Sequence, residues 1–70
     1  MSSLMWENVD EIGYRLSKRF PDVDPLSVRF TDLHRWIVEM EDFADDPESS
    51  TEAALEAIQM AWLEYYRRRR

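Results

Sequence analysis

The stretch "PDVDPLSVRFTDLHRW", residues 21–36, sets the boundaries of two predicted helices, because it ends one helix and begins another. Pro21 cannot continue a helix, so the segment before it must stop there. Asp24 followed by Pro25 is typical of an N-cap with proline at the first helical position, which predicts a single helical turn over residues 25–28. The stretch is therefore expected to be the joint between two helices.

The segments on both sides of this joint have the spacing of amphipathic helices. On the N-terminal side, a helix over about residues 7–19 is predicted from an apolar stripe made of Trp6, Val9, Ile12, Leu16 and Phe20. Gly13 lies on the same side, which indicates close approach by another helix. On the C-terminal side, Thr31 is a candidate cap for a helix over about residues 32–42, with an apolar stripe made of Leu33, Trp36, Ile37 and Met40.

A third helix is predicted over about residues 50–66. Ser49 with Glu52 three positions later fits a capping box. One face of this helix is apolar and contains Leu55, Ile58, Trp62 and Tyr65. No stretch alternates apolar and polar residues with period two, so strands are not expected. The predicted fold class is all-α, a compact domain of three main helices with one extra short helical turn, and the three tryptophans are expected to be core residues.

The composition limits the functions available to the chain. Its 70 residues allow one domain, and the absence of cysteine excludes disulfides and thiolate metal sites. The net charge is −6, but four of the nine basic residues form the terminal run Arg67–Arg70. Without these four, 15 acidic residues face 5 basic ones, a balance of −10 over residues 1–66. We therefore divide the chain into a domain, 1–66, and a basic tail, 67–70.

Such an acidic domain should repel DNA and anionic membranes and attract cations and basic protein surfaces. The sequence contains no apolar run as long as a membrane span and no signal peptide. A soluble, cytoplasmic protein is expected.

The stretch "EMEDFADDPESS" holds six carboxylates within residues 39–48, called the acidic run below. It consists of Glu39, Glu41, Asp42, Asp45, Asp46 and Glu48. Solvated charge that maintains solubility is one interpretation. A site for a hard cation, or a docking surface for a basic partner, is the other. The spacing lacks the order of a calcium-binding loop, so a metal site here would be shallow and weak.

An enzyme is not expected. His34 is the only histidine and has no cysteine or second histidine to share a zinc ion. It is more typical of a packing or capping residue. The serines and threonines lie where helix caps belong, and there is no phosphate-binding loop. Arg15, Lys18 and Arg19 form a small basic ridge that suits the C-terminal end of the first helix.

Several blocks of the sequence, in the same order, resemble the IscX family of small acidic proteins linked to bacterial iron–sulphur cluster assembly. The most specific are "DPLSVRFTDLHRWI", "DFADDP" and the ending "LEAIQMAWL". The opening "MWENVDEIGYRL" is similar to that family's first helix, so the resemblance covers about residues 4–64.

This resemblance implies a helical fold described as a modified winged helix, and a role as an iron-responsive adaptor that is not a catalyst. It implies weak binding of iron, Fe²⁺ or Fe³⁺, through surface carboxylates that match Glu39, Asp42, Asp45 and Asp46. It also implies binding to the cysteine desulfurase, on a basic surface for which frataxin competes. The implied partner-binding residues are Glu7, Asp10, Glu11, Glu39, Glu41, Asp42, Asp45 and Asp46.

The chain departs from the family pattern at its end, where "EYYRRRR" replaces an acidic tail. Arg67–Arg70 could shield the acidic surface within the same molecule or contact an acidic site on a partner. Two other functions stay open from the sequence. One is a generic acidic interaction module without a metal role. The other is an RNA-associated protein that acts through the four arginines, although no aromatic residues alternate with them.

Overall fold

The computed structural model describes residues 3–68. Its helices are α1 (Val9–Arg19), α2 (Phe30–Val38) and α3 (Glu52–Arg68). Two 3-10 turns lie between them, at Pro25–Ser27 and Pro47–Ser49. Within residues 3–68 there is no strand, only an isolated parallel bridge between Leu4 and Phe43. The all-helical fold class and the three main helices are confirmed, whereas the winged-helix likeness stays a prediction.

The end of α1 and the turn that follows it agree with the sequence. The helix has acidic residues in its first turn and basic residues in its last, as the helix dipole favours. Phe20 closes it by donating its backbone N–H to the Leu16 carbonyl oxygen, immediately before the proline. In the following turn, Asp24 accepts a hydrogen bond from the backbone N–H of Leu26 at 3.0 Å. The Asp-Pro signal therefore correctly predicted a capped turn.

Helix α2 begins and ends earlier than predicted. Its N-cap is Arg29, so Thr31 lies inside the first turn and is not the cap. The helix ends at Val38 instead of residue 42. The residues that follow are acidic, which the negative end of a helix dipole disfavours. Met40 still reaches the core, because it lies in a tight turn where its backbone N–H donates to the Ile37 carbonyl at 3.1 Å.

Helix α3 is capped by Thr51, and the predicted capping box at Ser49 and Glu52 is wrong. The Thr51 hydroxyl oxygen accepts from the backbone N–H of Ala54 at 3.1 Å. Ser49 instead donates its hydroxyl to the Asp46 carbonyl oxygen at 2.9 Å, inside the second 3-10 turn. The helix extends to Arg68, two residues beyond the predicted end, so Arg67 and Arg68 are helical. Residues 69–70 of the predicted basic tail lie outside the described residues.

The core lies mainly between α1 and α3. Ile12 and Leu16 of α1 and Ile58 and Trp62 of α3 are fully buried. Gly13 permits this contact. A Cβ at that position would lie 2.8 Å from the Ala61 Cβ and 2.8 Å from the Trp62 backbone nitrogen. The close approach that the sequence predicted at Gly13 is confirmed.

The three tryptophans differ in burial. Trp62 is fully buried and Trp6 is 6% exposed. Trp36 is only half-buried and stacks on the ring of Phe20 with a centroid distance of 4.4 Å. The prediction of a core position is thus confirmed for two of the three, and Trp36 borders the core instead.

The domain is compact for its size. Its Cα radius of gyration is 11.1 Å, close to the value of about 11 Å expected for a folded chain of this length. Within residues 3–68, none of the helices has the length and apolar character needed to cross a membrane.

Candidate functional site

The acidic run is a folded segment attached to the beginning of the chain. The backbone N–H of Leu4 donates to the Asp42 carbonyl, and the N–H of Ala44 donates to the Leu4 carbonyl, both at 2.9 Å. Leu4 is buried, and the ring of Phe43 packs against the core. These contacts fix the middle of the acidic run beside the residues that precede α1. Phe43 anchors this segment to the core.

Trp6 and His34 hold the second half of the acidic run in place through hydrogen bonds to its backbone. The Trp6 indole N–H donates to the Asp46 carbonyl oxygen at 2.8 Å. His34 stacks on Trp6 at a centroid distance of 5.5 Å, and its Nε2 lies 2.7 Å from the Pro47 carbonyl oxygen. Because a carbonyl oxygen only accepts hydrogen bonds, His34 must carry a proton on Nε2. His34 is therefore the packing and capping residue that the sequence indicated.

Two of the predicted metal ligands have structural roles. The Asp45 carboxylate accepts from the backbone N–H of Trp6 at 3.0 Å and from that of Asp46 at 2.8 Å. The Asp46 carboxylate accepts from the backbone N–H of Glu48 at 2.9 Å and so caps the second 3-10 turn. These two side chains therefore shape the acidic run, whatever else they bind.

Arg15 joins α1 to the acidic run. Its Nε donates to Glu11 at 2.8 Å, and its Nη1 donates to Asp42 at 2.5 Å. The hydrogen bond from Arg15 lowers the pKa of the Asp42 carboxyl below its ordinary value. Arg15 was predicted to belong to a basic ridge at the end of α1. The structure instead places it between two carboxylates, in the middle of acidic surface.

These contacts join Glu11 of α1 to Asp42 of the acidic run. The predicted partner-binding surface around this junction is called the acidic face below. It consists of the predicted partner-binding residues Glu7, Asp10, Glu11, Glu39, Glu41, Asp42, Asp45 and Asp46. Glu7, Glu39 and Glu41 are exposed, and no salt bridge involves them within residues 3–68. Asp10 is also exposed and accepts a hydrogen bond from the Tyr65 hydroxyl at 2.9 Å.

The predicted metal ligands do not converge on one point. In the part of the chain from residue 3 to residue 68, no three aspartate, glutamate or histidine side chains form a group that could hold a metal ion. Carboxylate oxygens suit iron as donors. Three of the four predicted ligands, however, already accept hydrogen bonds from the protein. Binding of iron at Glu39, Asp42, Asp45 and Asp46 stays a prediction.

Sequence reasoning missed the residues that assemble the acidic face. The turn Pro47–Ser49 follows Asp46 just as the first turn follows Asp24, so the same Asp-Pro signal could have predicted it. The partnership of Arg15 with Glu11 was also accessible, because residues four apart on a helix are neighbours. The long-range contacts of Trp6 and Asp42 have no local signal.

Comparison with known proteins identifies the family of this chain. Residues 4–67 match a protein family described as iron–sulphur cluster assembly. The chain is also 53% identical over 62 residues to a protein of Pseudomonas aeruginosa whose printed name is "Uncharacterized protein PA3808". That alignment covers 89% of this chain and 94% of the relative. The chain therefore belongs to the IscX family of iron–sulphur cluster assembly proteins.

Proposed function

We propose that this protein is a non-catalytic, iron-responsive adaptor of iron–sulphur cluster assembly, which docks through its acidic face on a basic patch of the cysteine desulfurase. The family supports the assembly role. The observation that carries the docking proposal is the joining of the two acidic segments. Arg15 bridges Glu11 and Asp42, while Leu4 pairs with the acidic run. These contacts support a single docking surface that combines carboxylates from both segments.

The proposed contact depends on charge more than on buried apolar area. Exposed carboxylates on the acidic face would attract guanidinium and ammonium groups of the desulfurase and accelerate encounter. Frataxin, if it uses the same basic patch, would compete with this chain for it. The adaptor would act in the cytoplasm, without DNA, and would tune sulphur delivery without a chemical step of its own.

Charge reversal on the acidic face tests the docking proposal. Glu39→Lys with Glu41→Lys should slow association with the desulfurase about tenfold at low salt and change dissociation less, because peripheral charges act mainly on encounter. Surface-binding kinetics would measure both rates. The matched control is Asp22→Lys with Glu56→Lys, which makes the same change in net charge at exposed positions outside the acidic face. Equal slowing by both pairs would contradict a localised docking surface.

Iron is the second part of the proposal. The donors on the acidic face are oxygens, and none of the described carboxylates belongs to a three-ligand group. We therefore expect weak iron binding by one or two carboxylates, with water completing the coordination. Calcium or manganese should compete, because oxygen donors discriminate poorly among hard cations. Retention of iron after Asp45→Asn with Asp46→Asn would contradict the assignment of these ligands.

A generic acidic interaction module without a metal role is the second candidate. The absence of a three-ligand group among residues 3–68 favours it. NMR spectra recorded during titration with ferrous iron distinguish the two candidates. Broadening confined to the acidic run would support the iron-responsive adaptor. Spectra that do not change at millimolar iron would leave only the metal-free module.

A further inference from the structure

The packing of α1 on α3 brings the last turn of α3, with Arg67 and Arg68, to the acidic start of α1. Gly13 packs on Ala61, and Asp10 contacts Tyr65. The step from Gly13 back to Asp10 along α1 therefore matches the step from Ala61 forward to Tyr65 along α3, so the two helices are antiparallel. The last turn of α3, which contains Arg67 and Arg68, consequently lies beside the first turn of α1.

A series of contacts links the last turn of α3 to the first turn of α1. The Tyr65 hydroxyl donates to the Asp10 carboxylate at 2.9 Å. The Arg68 guanidinium lies over the Tyr65 ring, 5.4 Å from its centroid, and its Nη2 is 3.5 Å from the Glu64 carboxylate. The hydrogen bond to Asp10 raises the pKa of the Tyr65 hydroxyl, and the positive charge of Arg68 acts in the opposite direction. Arg68, at the end of α3, is thus linked through Tyr65 to the Asp10 carboxylate at the start of α1.

We propose that Arg67 and Arg68 act as an intramolecular counter-charge on the start of α1, which weakens its attraction for a basic partner. The proposal deepens the proposed function and rests on it for the identity of the partner. It divides the acidic face into two parts. Glu7 and Asp10 are shielded, whereas Glu39 and Glu41 in the acidic run carry the attraction. The screening length in physiological salt is about 8 Å, so shielding is confined to carboxylates near the end of α3.

A double-mutant cycle tests this division. One arm neutralises the arginines, Arg67→Gln with Arg68→Gln. The other neutralises the shielded carboxylates, Glu7→Gln with Asp10→Asn, where asparagine keeps an acceptor for Tyr65. Each variant and their combination are titrated against a short fluorescent oligolysine peptide and against the desulfurase. The net-charge control is Arg29→Gln with Arg35→Gln, two exposed arginines at the cap and inside α2.

Shielding predicts that the two arms are not additive. Loss of the two α3 arginines should raise oligolysine affinity about threefold or more, and the control pair should raise it less than about twofold. Neutralising Glu7 and Asp10 should have little effect in the natural chain and a several-fold effect once the arginines are gone. Additive effects with oligolysine, or equal gains from both arginine pairs, would overturn the inference.

The two probes separate this inference from the proposed function. Coupling seen with oligolysine but no binding of the desulfurase would leave the counter-charge in place and overturn the docking proposal. Coupling seen with both probes would support both. Binding of the desulfurase without coupling to oligolysine would support docking and overturn the counter-charge.

Discussion

At the residue scale, the carboxylates of the acidic run differ in their neighbours. The neighbour of Asp42 is the guanidinium of Arg15. A charged neighbour that donates a hydrogen bond favours the ionised carboxylate. The same neighbour fixes the position of the side chain, so the acidic run is held in register with α1. The charge of Arg15 thus assembles the acidic face while it neutralises part of it.

This ion pair predicts a pH effect. The hydrogen bond from Arg15 places the pKa of Asp42 below its ordinary value of 3.8 in the folded state. The contribution of Asp42 to stability is therefore complete above that ordinary value, and it is lost as pH falls through the lower folded pKa. Arg15→Gln should raise the pKa of Asp42, as an NMR titration of its carboxyl carbon would show. An unchanged pKa of Asp42 in this variant would contradict the assignment.

A matched control separates this effect from net charge. Arg35 pairs with Asp32 on the exposed side of α2, with 3.4 Å between nitrogen and oxygen. Arg35→Gln changes the charge of the chain by the same amount as Arg15→Gln. It should leave the titration of Asp42 as it is in the natural chain.

His34 predicts a local change in stability. His34→Leu removes the donor to the Pro47 carbonyl and the ring that stacks on Trp6. Loss of one hydrogen bond corresponds to about 1 kcal/mol. The amide of Ala44 should therefore exchange with solvent about fivefold faster, while amides in the middle of α3 keep their rates. Uniform acceleration in both places would show global destabilisation instead.

At the element scale, the contact between α1 and α3 depends on the absence of a side chain at Gly13. In an ordinary helix, replacing glycine by alanine stabilises by about 1 kcal/mol. Here the added Cβ would lie 2.8 Å from both Ala61 and the backbone of Trp62. Overpacking of this kind costs about 1–3 kcal/mol, and a fixed backbone atom cannot move aside as a side chain can.

Gly13→Ala should therefore destabilise the domain by about 1–2 kcal/mol in urea denaturation. Adding Ala61→Gly should recover only part of the loss, because the contact with the Trp62 nitrogen remains. A Gly13→Ala variant that is more stable than the natural chain would show that the helices separate easily at this point.

The helices could be predicted from the sequence, whereas a helix cap and a long-range ion pair could not. The three helices follow from apolar periodicity, and Gly13 correctly predicted the tight seam. Caps were harder, since Ser49 and Thr51 are both plausible. Ser49 donates to Asp46 within the second 3-10 turn, and Thr51 caps α3. The sequence also indicated which carboxylates cluster along the chain. It could not show that Asp42 meets Arg15, because that contact spans 27 positions.

At the scale of the whole molecule, one indole dominates the core. Trp62 is fully buried, and its N–H has no hydrogen-bond partner within the described residues, so it stabilises by packing alone. Trp62→Ala should cost about 3–5 kcal/mol, which is comparable to the whole stability of a domain this small. The change Trp36→Ala, at the half-buried tryptophan, should lower the stability of the domain by about 1–2 kcal/mol. Thermal melts of the two variants would compare them.

If the Trp62→Ala variant fails to fold, a milder substitution is needed to measure what this side chain contributes to stability. Trp62→Phe keeps most of the packing volume and should remain folded, with a lower melting temperature than the natural chain. If Trp36→Ala proved as damaging as Trp62→Ala, the distinction between a central and a bordering indole would be wrong.

We propose that this member of the IscX family docks on the cysteine desulfurase through one acidic face. NMR spectra of the isotope-labelled chain, recorded as unlabelled desulfurase is added, would test this docking proposal. We expect signals to broaden or shift first in the acidic run and at the start of α1, and the effect to disappear as salt is raised. Changes that centre on exposed Leu26 and Met60 instead, and that persist in high salt, would contradict it.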